Sequence, residues 1–249
     1  MAIHLSLLQQ FPLFKHLSEL RQRQLAEASS LGSFARRQVV VEKNAELKSM
    51  AFLLEGRLQV VDFTLDGKEV GLSFIDEGEF FGEVAMLDGL GHPEYVLANR
   101  RSQVVMVPSG MLRPLLLEGP EIVEAVLLSM ARKLRQHSAQ RQILSITNPL
   151  QRVCAQLVLL LERSEANAPR TARTPVAAFG DQDSSSSPPV NRLLASAPTH
   201  QELAIMVNLS RETVTRAFQV LQSRNLLDRH ADGMVIRFHE VEELARKGE

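Results

Sequence analysis

Residues 199–226 read THQELAIMVNLSRETVTRAFQVLQSRNL and contain the strongest local structural signals in the chain. Thr199 and Glu202 stand three residues apart in a capping box, which predicts that a helix begins directly after Thr199. Asn208 tolerates the left-handed backbone of a tight corner, and Ser210 belongs to the residue types that cap a second helix. Two short helices joined by such a corner form the helix-turn-helix pattern.

The second predicted helix carries charged and hydroxyl side chains in its first turns. An arginine can donate two hydrogen bonds to guanine N7 and O6, and a glutamate can accept one from cytosine N4. In helix-turn-helix proteins the second helix presents its first turns to the major groove of DNA. The candidate DNA-contacting residues are Ser210, Arg211, Glu212, Thr213, Thr215 and Arg216. The alternative is an ordinary helical hairpin with solvated charges.

A β-hairpin is predicted directly after the second helix. Apolar, strand-forming residues between Leu226 and Phe238 flank the turn sequence Ala231-Asp232-Gly233. A hairpin in this place indicates a winged helix. Arg224, Arg229 and Arg237 are candidates for phosphate contacts, and each is equally interpretable as a solvated surface arginine.

The segment from Gln38 to Val107 has a different sequence pattern, in which short β-prone runs alternate with turn residues. The runs cover residues 38–41, 51–54, 57–63, 68–75, 95–98 and 103–107. The sequence Leu65-Asp66-Gly67-Lys68 predicts a tight hairpin, because Asp-Gly tolerates the positive φ of such turns. No strand–helix–strand alternation is present, so a Rossmann sheet is not expected. The pattern predicts an antiparallel β-roll or jelly roll after a short helical stretch, Leu5 to Leu31.

Gly119-Pro120 opens a long predicted helix that runs to about Thr147, since proline suits the first helical turn. One set of its residues recurs at alternating spacings of 4 and 3, the heptad pattern of a coiled coil. This seam consists of Val123, Leu127, Met130, Leu134, His137, Arg141 and Leu144. We expect the seam to form a homodimer interface, while the neighbouring Ile122, Val126 and Ile143 cover the β domain. The alternative is a long core helix within one protomer.

A further apolar helix is predicted from Leu150 to Arg163, after the helix-interrupting Asn148-Pro149. Residues 164–198 are rich in Ala, Ser, Pro and Thr and are predicted to be a flexible insertion. The expected fold is therefore α+β, with a β-roll domain over residues 1–118, a dimerisation helix over residues 119–147 and a winged-helix domain over residues 148–249.

Composition excludes several classes of protein. Lys and Arg number 28 against 29 Asp and Glu, and this net charge of −1 excludes a globally basic nucleic-acid coat while leaving a local basic face open. The single cysteine, Cys154, excludes an internal disulfide, a four-thiolate iron–sulfur site and a structural zinc site. Cys154 lies among Val153, Ala155 and Leu157, as a small core residue does.

Membrane and catalytic roles are not expected from the sequence. The apolar run Leu157 to Leu161 is too short to span a bilayer, and the first ten residues carry no basic leader. We therefore expect a cytoplasmic protein with no membrane partner. The sequence has no metal-ligand spacing, P-loop, GxSxG motif or dinucleotide fingerprint. We expect no enzymatic activity, and we assign no catalytic or metal-binding residue.

With these motifs the sequence resembles the CRP/FNR family of bacterial transcription regulators over nearly its whole length, the segment 164–198 excepted. The resemblance rests on Ser210–Arg216 with Leu221 and Asn225-Leu226, on Phe81-Gly82-Glu83, and on Met130–Leu134. It implies a homodimer that binds double-stranded DNA, with a cyclic-nucleotide-binding-like β-roll and with RNA polymerase as a candidate partner. It also implies that Arg211, Glu212 and Arg216 read a TGTGA-like half-site within an inverted repeat.

The same resemblance bears on an effector. Family members that bind cyclic AMP use a Gly-Glu pair for the ribose, which Gly82 and Glu83 match, and an Arg-Ser pair for the cyclic phosphate. The second pair is missing, since residues 91–95 read GHPEY. A buried phosphate without a fixed cation is costly, which argues against conventional cyclic AMP binding. The candidate effector-binding residues are Gly82, Glu83, His92, Arg100, Arg101, His137 and Ser138.

Several of these residues also have a purely structural interpretation. For His92, Arg100 and Arg101 the sequence favours exposed loop charges over effector binding, and His137 is equally interpretable as a residue that fixes helix register. Three effector hypotheses stay open: a non-standard nucleotide such as cyclic di-GMP, which we favour slightly, weakly bound cyclic AMP, or no effector at all. The phosphates and guanines of cyclic di-GMP suit arginines, for which the candidates are Arg100, Arg101, Arg132, Arg135 and Arg141. A regulatory cyclic-nucleotide module that acts through protein contacts is the alternative function.

Overall fold

The computed structural model describes residues 2–46, 48–67, 69–167, 191–195, 197–230 and 233–247. The chain divides into two compact units, Met1–Arg135 and Gln136–Glu249. The fold is α+β, as the sequence predicts, with antiparallel sheets in the first unit and a helix-turn-helix in the second. Among the described helices, none combines the length and the apolarity that a membrane crossing requires.

The described part of the first unit contains two four-stranded antiparallel sheets. Their strands are β1 (Ser30–Phe34), β2 (Val39–Val41), β3 (Ser49–Glu55), β4 (Leu58–Phe63), β5 (Glu69–Ile75), β6 (Phe80–Phe81), β7 (Tyr95–Ala98) and β8 (Ser102–Pro108). One sheet has the order β1-β8-β3-β6 and the other the order β2-β7-β4-β5. All six β-prone runs are strands, whereas β1 and the two-residue β6 were not predicted. The predicted hairpin joins β4 to β5, with Gly67 at a φ of 73°, although Lys68 lies outside the described residues.

Alternation along β3 divides the interior of this unit into two clusters. Ala51 and Leu53 point into a cluster between the two sheets, where they meet Leu58 and Val96 of the second sheet. Met50 and Phe52 point the other way, into a cluster formed with the helices. Successive side chains of a strand point to opposite faces, so β3 has one core on each side.

The helices of the first unit cover the outer face of the β1-containing sheet. They are α1 (Leu5–Leu8), a 3₁₀ turn (Pro12–Phe14), α2 (Glu19–Ala28), α3 (Glu83–Asp88) and α4 (Ser109–Glu118). The helical stretch predicted from Leu5 to Leu31 is therefore wrong in extent. Pro12 begins a separate turn, Ser18 caps α2, and the chain enters β1 at Ser30.

Helix α5 runs from Pro120 to Ser145, which confirms the predicted long helix and its proline start. Ile122 and Val126 are buried in the cluster beneath α1, α2 and α4. Leu127 and Leu134, both in the predicted seam, are 59% and 68% exposed in the single chain. The helix thus has a buried apolar face and an exposed apolar face.

The second unit contains helices and a small sheet. These elements are α6 (Pro149–Asn167), β9 (Asn191–Leu194), α7 (His200–Met206), α8 (Arg211–Ser223), β10 (Leu227–His230), β11 (Gly233–Arg237) and α9 (Phe238–Lys247). Strands β10 and β11 form the predicted wing hairpin, although Ala231 and Asp232 of its turn lie outside the described residues.

The predicted flexible insertion, residues 164–198, is too long. Its first four residues continue α6 to Asn167, and residues 191–194 form β9. Strand β9 pairs antiparallel with β11, with Leu194 opposite Met234. Ladder hydrogen bonds to a distant strand stabilise this segment, and no local signal encodes them. Residues 168–190 and 196 of the predicted insertion lie outside the described residues.

Candidate nucleic-acid interface and ligand-binding domain

Helices α7 and α8 are positioned by the caps that the sequence predicts. The Thr199 hydroxyl accepts the Glu202 backbone N–H at 3.3 Å, and the Glu202 carboxylate accepts the Thr199 backbone N–H at 2.6 Å. Asn208 takes the corner with a φ of 50°. The Ser210 hydroxyl then accepts the Thr213 backbone N–H at 3.2 Å, which begins α8. This is a helix-turn-helix built from local hydrogen bonds.

Helix α8 has one buried and one exposed face. Its buried residues are Val214, Ala217, Phe218 and Leu221. On the opposite face Ser210, Arg211, Glu212 and Arg216 are exposed, while Thr213 and Thr215 are half-buried. The structure therefore brings all six candidate DNA-contacting residues together in the first two turns of one helix.

The Glu212 carboxylate lies at the amino end of α8. Its pKa is below the ordinary value, first because of its own backbone N–H, next because of the Ser210 hydroxyl, and also because of the charges of Arg211 and Arg216. The unpaired N–H groups of a first helical turn favour negative charge. At neutral pH this exposed group is consequently an ionised acceptor flanked by two guanidinium donors.

A histidine outside the predicted set contacts the same helix. His200 Nδ1 lies 3.1 Å from the Thr215 hydroxyl, which itself donates to the Arg211 carbonyl at 2.9 Å. The His200 ring packs on Phe218 with centroids 4.4 Å apart. Burial lowers the pKa of His200, and the charges of Arg229 and Arg211 lower it further. Its place in the first turn of α7 was visible in the sequence, but its contact with α8 depends on the packing of the two helices.

The three arginines considered for phosphate contacts differ in their surroundings. Arg229 donates to the Pro198 carbonyl at 2.9 Å, and Arg237 lies 4.0 Å from the Glu240 carboxylate. Arg224, at the end of α8, is exposed.

In the first unit the predicted Gly82-Glu83 pair lies at the junction of β6 and α3. Gly82 has a φ of 89°, and Glu83 is only 1% exposed. Lys133 of α5 donates to Glu83 Oε1 at 2.5 Å and to the Phe80 carbonyl at 3.1 Å. The same ammonium group lies 5.6 Å from the centre of the Phe80 ring. Lys133 was missed because it lies fifty residues from Glu83 and no spacing rule connects them.

His92 is not an exposed loop charge. It is 4% exposed, its Nδ1 lies 2.7 Å from the Glu94 carbonyl, and its ring meets Phe81 edge to face at 6.0 Å. Its backbone N–H donates to the Ala45 carbonyl, and its carbonyl accepts from the Asn44 N–H. The Nδ1 contact offsets the cost of burying the ring, because a buried polar group requires a partner.

Arg100 and Arg101 lie at a different place. Arg100 donates to the Gly56 carbonyl at 3.0 Å and to Glu77 at 3.3 Å, and Arg101 is exposed. Gly56 follows β3, five residues beyond Ala51, which pairs with Phe81. At about 3.3 Å per residue, roughly 16 Å of strand separates the two places. The structure therefore does not bring Arg100 together with the Gly82-Glu83 pair.

His137 and Ser138 belong to the second unit, whereas the other candidate effector residues belong to the first. His137 is exposed, and the Ser138 hydroxyl accepts from Arg141 at 3.4 Å. Cys154 is buried in α6, and burial raises the pKa of its thiol to about 12. Within the described ranges there is no group of three or more His, Cys, Asp or Glu side chains able to hold a metal ion.

Comparison with known families defines the class of the protein. Residues 31–118 match the cyclic nucleotide-binding domain, and residues 151–247 match the Crp-like helix-turn-helix domain. The chain thus joins a ligand-binding type of domain to a DNA-binding type of domain. It belongs to the CRP/FNR family, whose members are DNA-binding transcription regulators and not enzymes.

Similar proteins include two named as activated by cyclic AMP. The global regulator CRP of Haemophilus influenzae is 23% identical over 208 residues, which are 83% of either chain. A CRP-like global regulator of Mycobacterium tuberculosis is 25% identical over 195 residues, which cover 78% of this chain and 77% of the relative.

Solved structures share the fold at low identity. FixK2 of Bradyrhizobium japonicum has a TM-score of 0.66 at 16% identity, with 87% of this chain and 96% of that chain covered. The c-di-GMP responsive regulator CLP of Xanthomonas campestris has a TM-score of 0.58 at 18% identity, with 86% and 96% covered.

Proposed function

We propose that this regulator acts as a homodimer on double-stranded DNA and reads an inverted repeat with TGTGA-like half-sites. The observation that carries the proposal is the exposed amino end of α8, where Arg211, Glu212 and Arg216 share one surface. The opposite face of α8 is buried, so this surface remains available to a ligand. A cytoplasmic location follows from a role on DNA.

Each side chain on this surface has a chemically distinct role. Arg211 and Arg216 donate paired hydrogen bonds to guanine, and the ionised Glu212 accepts from cytosine N4. Each good bidentate contact contributes about 1–3 kcal/mol of discrimination between bases. The hydroxyls of Ser210 and Thr213 suit phosphate oxygens, which fix the register of the helix on the duplex. The Thr215 hydroxyl donates to the Arg211 carbonyl and supports the helix from within.

The proposed dimer forms through α5. Leu127, Leu128 and Leu134 are each at least half exposed, and large apolar side chains grouped on one helix favour burial against a partner. A second copy of the same helix supplies a matching seam. Two symmetry-related α8 helices then enter successive major grooves about 34 Å apart.

Two modes of control are candidates. A nucleotide effector, with cyclic di-GMP slightly favoured from the sequence, is supported by the cyclic nucleotide-binding match and by the likeness to the c-di-GMP responsive regulator. Against it, Arg100 is engaged with Glu77, away from Glu83. The second candidate is effector-independent DNA binding. It is supported by Lys133, which already neutralises the buried Glu83 carboxylate within the chain. The geometry favours this second mode.

The test is a selection of random duplex oligonucleotides by the purified full-length protein, followed by footprinting. We expect the selection to recover a palindrome in the absence of any nucleotide. Cyclic AMP and cyclic di-GMP should change the affinity for this palindrome by less than about twofold. A palindrome recovered only with one nucleotide would support the effector mode. Recovery of no palindrome under any condition would overturn the DNA-binding proposal and favour a module that acts through protein contacts. RNA polymerase, the candidate partner, can be tested by transcription in vitro from the selected sites.

A further inference from the structure

The carboxyl end of α7 is held by side chains from outside the helix-turn-helix. A helix leaves its last carbonyl groups without helical partners, and each needs a donor if it is shielded from water. Here the chain itself supplies some of them: the Val207 N–H donates to the Leu203 carbonyl, and the Leu209 N–H donates to the Ala204 carbonyl. The carbonyls of Met206 and Val207 instead accept hydrogen bonds from side chains of α5 and α6.

Gln140 of α5 donates from its side-chain amide to the Met206 carbonyl at 2.7 Å. The Gln140 side chain is buried, with the residue only 6% exposed. A buried amide that ends on a backbone carbonyl fixes both groups, because a change in their separation leaves two polar groups unpaired.

Arg152 of α6 donates to the Val207 carbonyl at 3.1 Å. The same guanidinium donates through Nε and Nη2 to the Ile146 carbonyl, directly after α5, at 2.8 and 2.5 Å. One rigid, permanently charged fork therefore bonds the carbonyls that follow the carboxyl ends of two helices, α5 and α7.

We infer that Gln140 and Arg152 are positioning residues for DNA reading: they attach the end of α7 to α5 and thereby set where the α8 surface stands relative to the dimerisation helix. Within the described ranges, the hydrogen bonds of Gln140 and Arg152 end on carbonyls that precede the proposed DNA surface. The corner at Asn208 lies between their two acceptors and Ser210, so α8 begins four residues after the last anchored carbonyl. This inference rests on the proposed function, since a placement relative to α5 matters only if α5 carries the two-fold axis.

The observable consequence is the spacing of the two half-sites. A rigid attachment confines the dimer to one separation of its α8 helices, and a change of one base pair shifts the half-sites by about 3.4 Å and rotates them around the duplex. A loosened attachment accepts more separations, at the cost of affinity for the preferred one. A merely stabilising role for these bonds would lower the melting temperature without altering the spacing preference.

The test compares full-length wild type with Gln140→Met, which keeps length and apolar volume but removes the donor. Gln142→Met, an exposed glutamine of the same helix, is the matched control. Affinities are measured for the selected operator, for operators with one base pair added or removed at the centre, and for unrelated DNA. We expect Gln140→Met to bind the selected operator about tenfold more weakly. The ratio of its affinity for the selected operator to its affinity for the operators of altered spacing should fall several-fold. Its affinity for unrelated DNA should stay unchanged.

Arg152→Lys is the second variant, because it keeps the charge and one donor but cannot hold two carbonyls as a fork. It should relax the spacing preference even if Gln140→Met fails to fold. Wild-type spacing preference in a folded Gln140→Met or Arg152→Lys dimer overturns the inference, as does equal loss on specific and unrelated DNA. If wild type itself selects no palindrome, the proposed function fails instead, so the two failures are distinct.

Discussion

Lys133 and Glu83 form an ion pair with an N–O distance of 2.5 Å, in which the carboxylate is 1% exposed. Among the described residues Glu83 is the one acidic side chain so deeply buried. Desolvation of a carboxylate is expensive unless a cation and hydrogen bonds compensate for it. Glu83 Oε2 is buried and has no hydrogen-bond partner in the part of the chain that the structure describes, so the ammonium group of Lys133 carries most of this compensation.

Loss of this cation is therefore predicted to destabilise the first unit. Lys133→Met should lower the free energy of unfolding by about 2–4 kcal/mol, because it leaves a buried charge unpaired. Glu83→Gln combined with Lys133→Met should cost less than the sum of the single changes, since the two residues are coupled. Urea denaturation of all variants measures this, with Arg132→Met, an exposed neighbour on α5, as control. Equal stability of Lys133→Met and the control would contradict the interpretation.

Base discrimination by α8 is predicted to depend on Arg211. Arg211→Ala should reduce specific affinity about tenfold or more and relax the preference at one half-site position. Arg224→Ala, at the exposed end of the same helix, should weaken binding to all sequences alike and lower the salt dependence. Titrations against a panel of half-site variants distinguish these outcomes. If both variants gave a uniform loss, Arg211 would be a phosphate contact.

The dimer is predicted to depend on the exposed face of α5. Leu134→Glu places a charge in the seam and should convert the protein to a monomer, because burial of an unpaired charge opposes association. Sedimentation of the variant shows its mass, and operator binding should fall to the level of a single half-site. Leu65→Glu changes a still more exposed leucine in the β4–β5 turn and should leave the dimer intact. A dimeric Leu134→Glu would place the interface elsewhere.

Stability of the second unit is predicted to fall at mildly acidic pH through His200. The folded protein lowers the pKa of His200 from its ordinary value of 6.5, so the unfolded chain binds the proton more tightly. The neutral ring contributes stability that is fully present above 6.5 and is lost as the pH falls through the lower folded value. In His200→Asn, which keeps an amide near the position of Nδ1, the melting temperature should change less with pH across this range than in the wild type. Identical slopes in the two proteins would rule out this role.

Local signals account for the parts of the fold that the sequence predicted. The capping box at Thr199, the left-handed corner at Asn208 and the proline at the start of α5 each depend on neighbours within a few residues. The β-prone runs likewise became strands. Strand β9 could not be predicted from such signals, because its stability comes from β11, about forty residues further along the chain.

The candidate sites also divide into those that local sequence predicts and those that depend on distant contacts. The six candidate DNA-contacting residues lie within residues 210–216, so their closeness in sequence places them together at the start of α8. The effector set drew on distant segments, and the structure separates Arg100 from Glu83 while it buries His92 against Phe81. Lys133, Gln140 and Arg152 act through long-range contacts that no motif encodes.

Strand β3 has no solvent-facing side along most of its length, since its odd and even residues enter different interiors. A slip of one residue would send Phe52 between the sheets and Ala51 among the helices, exchanging a large ring for a methyl group in both places. A one-residue slip of β3 would therefore disrupt the packing of both cores. Burial of β3 on both of its faces thus fixes how the strands of the β-roll align.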